Sequence, residues 1–86
     1  MPRISQFYGI AIYLYYRDHA PPHFHAIYAG EEAQVRIDDG TFLAGSLPRT
    51  AARLVRDWID LHGEELMANW QRAQAMETLV TIAPLQ

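Results

Sequence analysis

The hydrophobic pattern divides the chain into a front half with a strand period of two and a back half with a helical period. Residues 7–16 are apolar at nearly every position, rich in β-branched and aromatic side chains, with Gly9 interrupting near the start. Such a run reads as a strand covered on both faces, and Tyr13, Tyr15, Tyr16 and the prolines that follow favour strand over helix. Residues 24–29 form a second apolar run, followed by a turn at Gly30-Glu31. Ala33, Val35 and Ile37 then alternate with Glu32, Gln34, Arg36 and Asp38, the signature of a half-buried strand. Asp39-Gly40 is a strong hairpin signal because glycine accepts the positive φ of a type I′ turn, and residues 41–45 read as the returning strand. From Pro48 to Gln74 the period changes. Ala51, Leu54, Val55, Trp58, Leu61, His62, Leu66, Trp70 and Ala73 share one helical face, and Arg49, Arg53, Arg56, Asp60, Glu64 and Gln71 lie opposite. Proline is tolerated in a first turn, and Ser46 is a candidate cap. Gly63 weakens the helix by about 1 kcal/mol, yet the apolar face keeps its phase across it, which favours one long helix. Residues 78–82 read as a short last strand, ended by Pro84.

Two-residue turns at Gly30-Glu31 and Asp39-Gly40 set a register. They place Tyr28 opposite Ala33, Ala26 opposite Val35, Phe24 opposite Ile37, Ile37 opposite Phe42 and Val35 opposite Ala44. Phe24, Ala26, Tyr28, Ala33, Val35, Ile37, Phe42 and Ala44 then share one face. His23 and His25 fall on the other, with His25 opposite Arg36. The fold expected is α+β: a mainly antiparallel, four- to five-stranded sheet in the order β-β-β-β-α-β, with one long helix on one face. A 26-residue helix would span about 39 Å and overhang such short strands. One helix covers only one face, so the first strand's second face, together with Ile27 and Leu43, is expected to remain an apolar patch and to mark an interface.

At 86 residues the chain is read as a single domain, 1–86, and a chain this short buries only about 60–65% of its unfolded surface. Half the residues are hydrophobic, which argues against disorder. Cysteine is absent, so neither a disulfide frame nor a thiolate metal site exists, in keeping with a cytoplasmic setting. No apolar run approaches the roughly 20 residues of a membrane span, and no signal-peptide pattern opens the chain. A net charge of −3 disfavours a broad nucleic-acid surface. The Arg49, Arg53, Arg56 stripe is diluted by Asp57 and Asp60, and reads as a solvated helix face.

Chemistry concentrates at Asp18-His19-Ala20-Pro21-Pro22-His23-Phe24-His25-Ala26, where three of the four histidines fall within seven residues. The two prolines exclude helix and favour a rigid turn entering a strand. His23 and His25 then share a face, roughly 7 Å apart, with His19 able to fold back from the turn. Asp18, His19, His23, His25 and Arg36 are the candidate binding residues. His19, His23 and His25 are candidate metal ligands, but their spacing matches no standard zinc signature, so no metal or other cofactor is expected. Used instead as acid and base, with Arg36 beside a phosphate, His23 and His25 would suit cleavage of an RNA phosphodiester. His62, at the centre of the helix's apolar arc, reads as a core histidine with backbone partners.

The opening Pro2-Arg3-Ile4-Ser5-Gln6-Phe7-Tyr8-Gly9-Ile10, the Asp18 to Ala26 stretch, Leu47-Pro48-Arg49, Trp58, Leu61-His62 and Asn69-Trp70 together resemble one family of small bacterial proteins. It is known as a domain of unknown function, number four-one-six-zero. The resemblance covers nearly the whole chain, and its most specific part is the Pro-Pro-His-Phe-His-Ala run. It implies a soluble bacterial protein whose gene often neighbours that of another small family, in a toxin–antitoxin-like arrangement. It supplies no catalytic residues. The function favoured is a protein-binding or regulatory module of such a pair, acting as a homodimer or with a small protein partner. The alternative is a small ribonuclease or hydrolase, metal-independent or metal-dependent, using His19, His23 and His25.

Overall fold

The computed structural model of the chain describes residues 2–86. Five antiparallel strands form one open sheet in sequence order: β1 (Arg3–Phe7), β2 (Ile10–Tyr13), β3 (His23–Tyr28), β4 (Glu31–Arg36) and β5 (Phe42–Gly45). One helix, α1 (Arg49–Gln74), packs across one face. The α+β class, the antiparallel sheet and the single long helix are as the pattern predicts, but the element order is β-β-β-β-β-α. The fifth strand comes from the front of the chain. The long apolar run is not one strand, because Tyr8 and Gly9 both take positive φ, 49° and 78°. They form a two-residue turn that pairs Phe7 with Ile10. The segment expected as a last strand does not join the ladder. It touches the edge of β1 through Ile82 N–H to Ile4 C=O at 2.8 Å. Its other anchors are side chains of α1: Asn69 donates to the Val80 carbonyl and accepts from the Val80 N–H, and Trp58 Nε1–H donates to the Ala83 carbonyl.

The β3–β4 turn falls on Ala29 and Gly30, at φ 51° and 83°, one residue earlier than Gly30-Glu31. The register therefore differs from the expected one by two: Phe24 pairs with Val35, Ala26 with Ala33, His25 with Gln34 and His23 with Arg36. A shift of two preserves the faces, so the same apolar side chains still point to the core. The β4–β5 connection is longer than the two residues expected. Arg36 N–H bonds Thr41 C=O, Gly40 N–H bonds Arg36 C=O, and a bulge follows the Val35–Phe42 pair. Past the bulge Ala44 pairs with Gln34 and is exposed, so it leaves the core face.

Ile10, Ile12, Leu14, Phe24, Ala26, Ala33 and Val35 are fully covered between sheet and helix. Trp58 is the centre of that layer, with ring centroids 5.2 Å from Phe7 and 5.8 Å from Phe24. Helix α1 starts at Pro48 without a side-chain cap, so Ser46 does not serve as one. A straight helix of 26 residues would measure about 39 Å, more than the 33 Å long axis of the molecule. The helix bends instead at His62 (φ −127°, ψ 19°), beside Gly63, where the missing Cβ makes bending least costly. Leu61, expected inside, is 68% exposed, while Ile59 and Asn69 are buried. The second half of α1 does not overhang. The 14–22 loop folds against it, with Arg17 N–H on Ala73 C=O and Gln74 Nε2 on Asp18 C=O.

Candidate functional site

The 14–22 loop carries Asp18 to the end of the sheet, where β3 begins. β2 stops opposite His25, so His23 projects past the end of β2 and packs on Trp70 of α1, ring centroids 5.4 Å apart. Tyr15 covers His25, ring centroids 4.3 Å apart, and stacks on Tyr13. The two imidazoles are almost closed off, with side chains 2% and 8% exposed, against 14% for Asp18.

One carboxylate oxygen organises this centre. Asp18 Oδ2 lies 3.0 Å from His23 Nε2 and 3.1 Å from His25 Nε2. The other nitrogen of each ring is already engaged. His23 Nδ1 lies 2.7 Å from the Pro21 carbonyl, and His25 Nδ1 lies 2.8 Å from Glu32 Oε2. A carbonyl only accepts, so His23 Nδ1 carries the proton of that bond, and His25 Nδ1 donates likewise to the Glu32 carboxylate. Both Nε2 atoms are thereby turned toward Asp18. His23 Nε2 is buried and has no hydrogen-bond partner of acceptable geometry. Burial pushes the Asp18 carboxyl up; the His25 bond, the His19 N–H and the charge of both histidines outweigh it, leaving Asp18 below the ordinary carboxylate range. Burial, then the charges of Glu32, Tyr13 and Asp18, push the Tyr15 phenol up, so it stays neutral beside the two carboxylates.

Of the residues singled out in the sequence, Asp18, His23 and His25 converge. His19 does not join them: its side chain is 83% exposed and its Nδ1 pairs with the other Asp18 oxygen, Oδ1, at 3.1 Å. Arg36 is the cross-strand neighbour of His23, but its guanidinium is held by the turn acids, 3.3 Å from Asp39 and 3.9 Å from Asp38. His62 is half-buried on Trp58 and pairs with Glu65 at 2.6 Å rather than with backbone. Two contributors escaped the sequence reading, Glu32 and Tyr15. The expected register put Glu32 beyond reach of His25; in the observed one, Gln34 faces His25 and Glu32 is the next residue on that face. Rings this enclosed present little surface to a large ligand.

On the face of the sheet away from α1, Ala11, Tyr13, Tyr15 and Ile27 form a half-buried apolar stripe. Gln6, Gln34 and Glu32 border it. Each member is half-buried, so the patch is less exposed than the pattern predicts. Leu43, at the bulge, is 36% exposed. Among the described residues no helix is long and apolar enough to cross a membrane.

The family model for the Domain of unknown function (DUF4160) matches residues 9–71. No curated protein and no solved structure matches the chain.

Proposed function

The chain belongs to the DUF4160 family, and from that footing we propose that it is a protein-binding or regulatory module of a toxin–antitoxin-like pair, working in the cytoplasm. The observation that carries this reading is the sheet face opposite α1. Ala11 and Tyr13 of β2, Ile27 of β3 and Tyr15 just beyond β2 lie there half-buried, bordered by Gln6, Gln34 and Glu32. Tyrosine on an uncovered apolar surface suits an interface, since its ring adds area while its hydroxyl tolerates a wet rim. The occupant that needs no further chemistry is a second copy, and two-fold pairing is the commonest homo-oligomeric arrangement.

Sedimentation velocity tests the reading. The unmodified chain is expected to sediment as a dimer at micromolar concentration, and Tyr13→Glu as a monomer. A monomer at high micromolar concentration for the unmodified chain rules out the homodimeric form. Incubation with labelled RNA, with and without chelator, addresses hydrolysis: cleavage lost in a folded His23→Ala, His25→Ala variant would replace the binding reading with the ribonuclease one.

A further inference from the structure

We infer that Asp18, His23 and His25 form a binding site for a divalent first-row transition-metal ion, with Glu32 and the Pro21 carbonyl orienting the two imidazoles. The three ligand atoms all lie within 4.8 Å of one another. Asp18 stays with His23 and His25, and His19, 83% exposed, is left out of the group.

Three features separate this group from an ordinary buried ion-pair cluster. Both Nδ1 atoms donate outward, one to the Pro21 carbonyl and one to the Glu32 carboxylate. That is how protein-bound metals receive histidine, because the outer bond fixes the tautomer and leaves the Nε2 lone pair for the ion. His25 Nε2 can meet Asp18 Oδ2 through a hydrogen bond when no ion is bound, but His23 Nε2 is left buried and unpartnered beside the same oxygen, an unfavourable arrangement that a cation at the focus would relieve. A proton on His23 Nε2 is a poor substitute, because that nitrogen is 3.0 Å from the carboxylate yet makes no hydrogen bond of acceptable geometry. An ion does not need the N–H vector aimed at oxygen; it needs lone pairs sharing a centre. Finally, the charges close: two carboxylates, Asp18 and Glu32, balance one divalent ion and two neutral imidazoles.

The donor set also selects the ion. Two imidazoles and a carboxylate suit zinc, iron, nickel, copper or manganese and disfavour calcium and magnesium, which prefer all-oxygen shells. At bond lengths of about 2.0–2.2 Å, the two oxygen–nitrogen pairs, 3.0 and 3.1 Å apart, would each subtend roughly 90–100° at the ion. The remaining positions would be filled by water. The ion would tie the 14–22 loop to β3, and through the Gln74 bond to Asp18 and the Arg17 bond to Ala73 to the end of α1.

The experiment is calorimetric titration of the chelator-treated full chain with zinc, nickel and magnesium salts, combined with nitrogen-detected histidine NMR. One zinc or nickel ion per chain is expected, with Kd of about 10 μM or tighter for at least one of them and no magnesium binding. The Nε2 resonances of His23 and His25 should shift and those of His19 and His62 should not. Asp18→Asn keeps the shape of the side chain while removing its charge, and should abolish binding. Glu32→Ala, at a side chain 46% exposed, should weaken it by about 10–100-fold. His19→Ala should leave it unchanged. Circular dichroism checks that each variant is folded; if Asp18→Asn is not, Glu32→Ala and the NMR shifts decide the matter. The inference is overturned if neither zinc nor nickel binds more tightly than about 1 mM, or if binding survives in folded Asp18→Asn. It is also overturned if His23 and His25 carry protons on both nitrogens at neutral pH and do not respond to metal.

Discussion

Replacing Gly45 by alanine tests the closest backbone approach in the sheet. Gly45 lies opposite Ala33 at the end of β5, at φ +71°, and a Cβ there would sit 2.1 Å from the Glu32 carbonyl oxygen and 3.1 Å from Ala33 Cα. Non-bonded heavy atoms settle at about 3.5–4.0 Å, so more than an ångström must be found. It must come from backbone atoms of a paired strand, which cannot swing aside as a side chain can. Alanine in the left-handed region adds about 1–2 kcal/mol. The least costly escape is release of the end of β5 from β4, losing one or two ladder bonds of about 1 kcal/mol each. The total is about 2–4 kcal/mol, a fall in Tm of about 10–25 °C for a domain of this size. Gly30→Ala is the control: its φ is +83°, but nothing lies within 4 Å of the added carbon, so it carries the backbone cost alone. Urea unfolding followed by tryptophan fluorescence measures both. If Gly45→Ala costs no more than Gly30→Ala, the close approach of β5 to Glu32 is wrong, and with it the bulge that sets it.

Two further substitutions test the register and the tail. Ala29 sits at φ 51° in the β3–β4 turn, where asparagine is better tolerated, so Ala29→Asn should raise stability by about 0.5–1 kcal/mol in urea unfolding; destabilisation would instead support a Gly30-Glu31 turn with Ala29 inside a strand. Asn69 is fully buried and makes both links to Val80, so Asn69→Ala should cost about 2–3 kcal/mol and lose amide-exchange protection at Val80 before it is lost in the sheet; unchanged protection at Val80 would show that the tail is held some other way.

The alternation in β4 and the helical phase of the second half were legible because each has one wet face and one dry one, and the side-chain period reports that directly. What failed did so where local chemistry competes with pattern. A continuous apolar run carries no period, so the turn inside it was visible only as Gly9, and Tyr8, a bulky residue at positive φ, gave no warning. Ala29 hid the β3–β4 turn for the same reason. The segment before Pro84 has a strand's composition, but its backbone partners are two side chains of α1 and one carbonyl of β1, and a side chain that imitates a strand leaves no trace in the pattern of the segment it holds. Leu61 precedes the bend, and its exposure follows from ordinary helical phase: the dry face of the first half of α1 runs through Val55, Trp58 and Ile59, and at about 100° per residue Leu61 falls outside it.

At the histidine centre the same two-residue register difference decides the chemistry. It left every side chain on its expected face, so His23 and His25 were grouped correctly, but it exchanged their neighbours. Arg36 moved from His25 to His23 and turned toward Asp39, and Glu32 came within bonding distance of His25. The neighbours of the two imidazoles are therefore two carboxylates, Asp18 and Glu32, with Arg36 held away by Asp39. Tyr15 links that centre to the far face, since its ring rests on His25 and stacks on Tyr13. An ion that fixes the 14–22 loop would also fix Tyr15, and so the middle of the apolar stripe. Metal occupancy and pairing through that stripe, if both occur, would then be coupled by one aromatic ring: an ion that preorders Tyr15 would lower the entropy lost when the face is covered, and by reciprocity a covered face would tighten the ion.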